Sequence, residues 1–375
     1  MYSFHKFVKL FLLIFIIAIA SHLYSWNTYT KYVFPKEYII GDLGRLSYQI
    51  DSLQPRFEQV SLSVEKDKFI NHKNKKFEVV TIGDSFSDGG GMGLNTFYQY
   101  YISDFNKKNV LNLKNILSSD NYIETIVSLL NKGYFEKWGT KYIVLETVER
   151  KAIERLSRQI NLDAKNSFLL KNINKIDCFI DTNKTVEKSN NEYKLNNKDT
   201  SVLGYDKFTI NIFNNLNINA LLYNIFYNID DRAFIASTYK VKLNQELFTV
   251  NDSKVLLFYK KDLKALGKST KENVELLNNN LNLLTKLLSK NGIKLYFMPV
   301  VDKSNLYRQY VSKPKYKEST FFENLRPLNK EYLYIDTKDI LLSELNNGVK
   351  DIFYPDDSHW SYKASETVFK RVKFE

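Results

Sequence analysis

The chain has 375 residues, 44% hydrophobic and 15% aromatic, which supports a sizeable core and excludes a disordered chain. Lys and Arg number 54 against 42 Asp and Glu, but the net charge of +12 is spread along the chain, so no basic nucleic-acid module is indicated. The single Cys178 excludes an intrachain disulfide and a cysteine-based metal cluster.

In residues 1–26, His5, Lys6 and Lys9 precede the apolar run 10–20, and the chain turns polar after Trp26. Positive residues ahead of an apolar stretch stay in the cytoplasm, so the rest of the chain is expected outside it, on the periplasmic or cell-surface side. Ala18-Ile19-Ala20 has the spacing of a signal-peptidase site, while the stretch 7–23 reaches the lower limit of about 17 residues for a spanning helix. An uncleaved single-pass anchor is favoured over a cleaved signal peptide and a secreted product.

Residues 27–76, with Pro35 and Pro55, read as a connecting region of no legible function. An α/β core then begins: strand 77–82, strand 110–113, a helix over 122–130 and strand 141–146. This alternation predicts a mostly parallel sheet flanked by helices. Region 151–263, rich in Asn and Lys, breaks the rhythm and reads as an insertion or cap over the sheet, the place for specificity. Regular structure resumes with a helix over 272–290, whose leucines at 276, 277, 281, 283, 284, 287 and 288 form a broad apolar face. Asn291-Gly292 ends it, and strands 294–300 and 332–335 and a closing helix at 362–371 follow.

Two short blocks carry chemistry: Gly83-Asp84-Ser85-Phe86 after the first strand, and Asp356-Asp357-Ser358-His359-Trp360 between the last strand and the closing helix. A serine hydroxyl is a weak nucleophile that needs a base to take its proton and a carboxylate to orient that base. The turn after residue 82 would lift Ser85 to the carboxyl edge of the sheet, where open α/β folds keep their sites. Of four histidines, His5 and His22 lie in or beside the apolar segment and His72 in the Lys-rich stretch 71–76, which leaves His359 as the base. Each block alone reads as an ordinary turn or surface loop; together they indicate acyl transfer.

Further candidates surround them. Arg150, at the end of the third strand, could donate to an oxyanion or a sugar, or pair with Glu146 or Glu149. The run Gly89-Gly90-Gly91-Met92-Gly93 lacks the ending of a phosphate loop and reads as a rim beside Ser85, with Asn95 as a candidate amide donor. No cofactor is called for, and no ligand spacing suggests a metal.

These residues resemble the SGNH (GDSL-type) hydrolase superfamily, and within it the extracytoplasmic polysaccharide O-acetyltransferases related to alginate acetylation. The resemblance rests on G-D-S-F at 83–86, D-S-H-W at 357–360, the E-R pair ending Glu146-Thr147-Val148-Glu149-Arg150, and Met298-Pro299-Val300-Val301-Asp302-Lys303 followed by Tyr307. It covers 77–150 and 255–370. It implies a flavodoxin-like SGNH-hydrolase domain over 77–375 with a triad of Ser85, His359 and one aspartate, and it adds Lys303 to the substrate-binding candidates. The D-x-H spacing of the alginate-like group selects Asp357 and the D-x-x-H spacing of the wider superfamily selects Asp356; Asp357 is preferred.

The chain also departs from that pattern. A glycine and an asparagine expected in the second and third blocks are replaced by Lys114-Asn115 and Glu149-Arg150, so the usual oxyanion donors are not assured. The D-x-H-W block follows the serine block, as in ordinary SGNH enzymes and the D-alanyl transfer protein of teichoic acid synthesis. The implied activity is transfer of an acyl group, acetyl by the family branch, to hydroxyls of an exported polysaccharide, from a donor supplied by a membrane-bound O-acyltransferase. The same triad with water as acceptor makes a carbohydrate or lipid esterase. A non-catalytic glycan-binding protein on a decayed fold predicts loss of Ser85 or His359, and both are present.

Overall fold

The computed structural model describes residues 2–30, 41–49, 64–67, 76–91, 97–113, 121–164, 179–185 and 212–375. Its nine strands are β1 (Val64–Asp67), β2 (Val79–Ile82), β3 (Val110–Asn112), β4 (Tyr142–Val148), β5 (Phe179–Thr185), β6 (Thr238–Lys242), β7 (Val255–Tyr259), β8 (Lys294–Val300) and β9 (Leu333–Tyr334). The principal helices are α1 (Tyr2–Thr28), α2 (Asp42–Ser47), α3 (Tyr98–Asn106), α4 (Tyr122–Asn131), α5 (Glu149–Leu156), α6 (Asn215–Phe226), α7 (Lys271–Ser289), α8 (Thr337–Asn346) and α9 (Tyr362–Arg371).

A strand covered by helices on both faces must be apolar on both, and the central strands obey this. Every residue of β2 and β4 is buried, as is all of β8 after Lys294. Five parallel strands run in the order β3-β2-β4-β8-β9; at the β3 edge β5 pairs antiparallel with β3, and β1 pairs antiparallel with β5. Numbered along the chain, the parallel strands lie 2-1-3-4-5, so the order reverses at β2 and β4. The crevice at such a reversal, outside the carboxyl ends of the strands, is where open α/β sheets bind ligands.

β4 runs two residues beyond its expected end because Val148 finds a register partner in Val300. The first strand starts late: Phe77 is buried, but its N–H goes to Trp138 O (2.8 Å) before the ladder begins. On α7 the buried face is narrower than its leucine content suggests. Val274, Leu277, Leu281, Leu284 and Leu288 are fully buried, whereas Leu276 and Leu283 are 46% and 44% exposed. The 3-4-3-4 spacing of the first group forms one stripe, and the other two leucines point away from it.

The described residues of region 151–263 fall in several elements. It opens with most of α5, supplies β5 to the main sheet, places α6 against α1, and pairs β6 with β7 in a separate antiparallel sheet. α1 is one uninterrupted helix, and its Phe4–Thr28 stretch of 25 residues is long and apolar enough to cross a membrane.

The stripe on α7 gives a direct stability test. Leu284→Ala should cost about 2–5 kcal/mol in urea unfolding, the range for a buried leucine, whereas Leu283→Ala should fall within about 0.5 kcal/mol of wild type. Equal costs would mean that the helix packs by another face.

Candidate active site

The turn after β2 is braced from below by β4. Glu146 is fully buried, and its Oε2 accepts the Asp84 N–H (2.9 Å) and the Ser87 hydroxyl (2.8 Å). A Cβ at position 83 would lie 2.1 Å from Glu146 Oε2 and from Ser87 Oγ, so only glycine lets the turn sit this close to the strand. Burial, and then the charge of Asp84, push the Glu146 carboxyl well above its ordinary range.

Asp84 is the charged partner in this brace. Its Oδ1 accepts from Phe86 N (3.2 Å), and its Oδ2 accepts from Val148 N (3.0 Å) and Arg155 Nη1 (2.5 Å). Burial works against ionisation, but the Arg155 guanidinium and these hydrogen bonds outweigh it and hold Asp84 below its ordinary value. Arg155, on α5, also donates to Thr147 Oγ1 (2.8 Å). No motif marks this role: Arg155 lies 71 residues from Asp84 in the chain.

The second block meets the first across 274 residues of chain: His359 Nε2 lies 2.7 Å from Ser85 Oγ. On the other side of the ring, His359 Nδ1 lies 2.7 Å from Asp357 Oδ1, which also accepts the His359 backbone N–H (2.9 Å). A carboxylate beside Nδ1 assigns the proton to that nitrogen and leaves Nε2 to accept from Ser85 Oγ–H. The ring is held by Phe86, 4.7 Å between centroids, which itself meets Trp360 edge-on. Gly90 lets the loop close over it: a Cβ there would sit 2.4 Å from His359 Nε2, while the Gly90 N–H donates to Ser85 O (2.8 Å).

The two aspartates therefore separate. Asp357 Oδ1 faces His359 Nδ1, and Asp356 Oδ2 accepts the Gly41 N–H (2.7 Å) while its main-chain carbonyl accepts from Gly44 N (2.8 Å). Asp356 fastens the 41–49 segment to the catalytic loop. That segment brings in Asp42, a residue absent from the expected set. Asp42 accepts from Ser358 N (2.7 Å) and Ser358 Oγ (2.6 Å), and its own N–H donates to Asp357 Oδ2 (3.3 Å).

Asp42, Asp357 and His359 bring donor atoms within 4.8 Å of one another, but these atoms are engaged with each other and with Ser358 in a hydrogen-bonded network rather than spread for a cation. Burial, then the charge of Asp357, raise Asp42 above its ordinary value. For His359, burial disfavours the imidazolium, but Asp357 and, after it, Asp42 more than offset this and leave its pKa raised, with Arg150 acting in the opposite sense.

The remaining candidates fall elsewhere. Arg150 pairs with neither Glu146 nor Glu149: its Nη1 lies 2.5 Å from Asp302 Oδ1 and 3.5 Å from Asp262 Oδ1. Glu149 turns instead to Asp302 N (2.9 Å) and Asn305 Nδ2 (2.8 Å), and burial together with the Asp302 charge pushes it up to about 7. These groups line a cavity of about 30 Å³, room for one or two waters; neither Ser85 nor His359 borders it. Lys303, expected at the substrate, is 1% exposed and donates to the carbonyls of Tyr354 (2.7 Å), Pro355 (2.9 Å) and Asp357 (3.0 Å). It builds the catalytic loop and does not face a ligand. Asn95 lies outside the described residues, as do Met92, Gly93, His72, Lys114, Asn115 and Cys178.

No protein-family model, no curated protein and no solved structure matches this chain.

Replacing each aspartate tests its separate role. Asp357→Asn should lower turnover of an activated ester by about 10⁴, the scale seen when the orienting carboxylate of a triad is lost, with Asp356→Asn far milder; the reverse order would reassign the base's partner. Asp42 is read through pH. His359 must be neutral to accept a proton, so activity falls as pH drops through its raised pKa. Asp42→Asn removes a negative charge near the ring and should move that acid limb of kcat/KM to lower pH; an unmoved limb would leave Asp42 a purely structural tie.

Proposed function

We propose that this chain is an acyltransferase of SGNH-hydrolase type, moving an acyl group, acetyl by the family branch, onto hydroxyls of an exported polysaccharide. The observation that carries the reading is the continuous relay from Ser85 Oγ to His359 Nε2 and from Nδ1 to Asp357 Oδ1, each link 2.7 Å. The relay follows β2, at the reversal of a flavodoxin-like strand order, which agrees with the position of the nucleophile in that superfamily.

In this mechanism Ser85 Oγ attacks the carbonyl carbon of the acyl donor as its proton passes to His359 Nε2. The tetrahedral intermediate collapses with breakage of the bond to the donor oxygen, which leaves with the proton from Nε2. An acceptor hydroxyl then gives its proton to Nε2 and attacks the acyl-serine, and the Ser85–acyl bond breaks as Oγ recovers the proton. The Ser85 N–H is the first candidate to meet the oxyanion, and each such donor is worth about 10²–10³ in rate. Water in place of the sugar turns the same cycle into ester hydrolysis.

Transfer is preferred because the anchor reading of α1 keeps the domain at the outer membrane face, beside the multispanning acyltransferase that would supply the donor. The test is intact-mass analysis of the full chain in detergent with p-nitrophenyl acetate, since the end of α1 is bonded to the domain. Wild type should gain one acetyl adduct that Ser85→Ala lacks, and an added oligosaccharide should discharge it faster than water does. Discharge at the same rate with and without sugar makes the chain an esterase, and no Ser85-dependent adduct overturns the acyl-enzyme reading.

A further inference from the structure

The sequence of α6, NLNINALLYNIF, contains no charged residue, and its two faces have different surroundings. The inner face is bonded throughout. Asn217 O accepts from Ser25 Oγ (2.5 Å), and Asn217 Oδ1 accepts from Thr30 Oγ1 (2.5 Å), both at the carboxyl-terminal end of α1. His22 adds a contact between its Nδ1 and Asn217 Nδ2 (3.2 Å) and packs its ring against Phe213, 5.4 Å between centroids. Two turns on, Asn224 Oδ1 accepts from Gln49 Nε2 (2.9 Å), and Tyr223 meets Tyr48 edge-on.

The outer face is apolar and open. Ile218, Leu222, Ile225 and Ile229, spaced 4-3-4, form one stripe that continues into Phe234 and Ile235, and all six are at least 40% exposed. Patches of this kind on a soluble surface mark an interaction site. The neighbour of this one is given by the chain itself, because α6 is fastened at residues 22–30, where the apolar helix Phe4–Thr28 reaches its polar end. If α1 crosses a bilayer, that end lies at the headgroup level, and α6 lies there with it.

We propose that α6 and the turn after it rest in the outer leaflet, with the Ile218–Ile229 stripe in the boundary between headgroups and acyl chains. This rests on the reading of α1 as a retained anchor. An uncharged helix with one wide apolar face binds by burial of that face rather than by attraction to anionic lipid, so a neutral bilayer suffices.

The experiment uses the full chain in phosphatidylcholine vesicles, with Cys178→Ser as background and an environment-sensitive fluorophore on one introduced cysteine. Ile225→Cys reports on the stripe, Leu13→Cys on the anchor, and Lys290→Cys on an exposed helix end. Lipids carrying a nitroxide near the headgroup or deep in the acyl chain act as quenchers. The expected result is a blue-shifted Ile225 label quenched most by the shallow nitroxide, a Leu13 label quenched most by the deep one, and a Lys290 label quenched by neither. A buried Leu13 label beside an Ile225 label that stays in water overturns the docking proposal and assigns the stripe to a protein partner. A Leu13 label that stays in water overturns the anchor reading itself.

Discussion

The catalytic loop depends on one buried ammonium. Lys303 reaches up from the end of β8, and three carbonyls, from Tyr354, Pro355 and Asp357, converge on its Nζ at 2.7–3.0 Å. Carbonyls that crowd together repel one another unless a donor sits among them, and a buried charge is costly unless its hydrogen-bonding capacity is met. Each requirement answers the other. With its main chain fixed at residues 354, 355 and 357, the loop has little freedom left in placing the side chains of Asp357 and His359. Phe353 adds a further tie through its N–H to the Tyr307 hydroxyl (3.2 Å). Lys303 therefore acts on the Ser85–His359 pair through the loop main chain and not by touching it.

The same logic is repeated along the carboxyl edge of the sheet. Asp84 with Arg155 and the buried Glu146 hold the serine turn to β4, and Arg150 with Asp302 and Asp262 ties the end of β4 to the end of β8. Buried ion pairs seldom add much net stability, because desolvation cancels most of the attraction. What they supply here is geometry: each pair has short, directional contacts that a set of apolar side chains would lack. The strand ends are thereby fixed in register where Ser85 and His359 must approach to 2.7 Å. Glu149, at about 7, is the member of this group that titrates near neutrality, and its partners Asp302 N and Asn305 suit a carboxylate or a shared proton alike.

The legible part of this architecture followed from local rules. The parallel strands are visible as apolar runs, and α7 as a leucine-rich segment ended by Asn291-Gly292, because each of those signals is carried by neighbouring residues. The Ser-His pairing was visible because both residue types are chemically distinctive and few histidines compete. Lys303 stands out in the sequence, but a lysine in a motif looks the same whether it meets a ligand or a loop, and here its Nζ meets the loop. Arg155 and Asp42 were invisible because their partners lie 71 and 315 or more residues away and neither sits in a run that periodicity can detect. The aspartate choice was settled by contacts rather than spacing: both residues are buried beside the histidine, and only the direction of each side chain separates them.

Asp42 gives the connecting region a function that its composition hides. Residues 41–49 contact the catalytic loop at one end, through Gly41, Asp42 and Gly44, and α6 at the other, through Tyr48 and Gln49. α6 in turn is bonded to the end of α1. A continuous set of contacts thus runs from the polar end of the apolar helix to the carboxylate that orients the base. A domain tethered by a loose stalk would present its serine in every direction; one fastened at α6 presents it at a fixed height and tilt. If α1 is retained in a bilayer and the acyl donor lies there too, as proposed, that restriction replaces a three-dimensional search by a search in the plane of the bilayer. On that reading the entropy of orientation is lost when the domain folds against α1, before the donor arrives, and need not be lost again at each encounter.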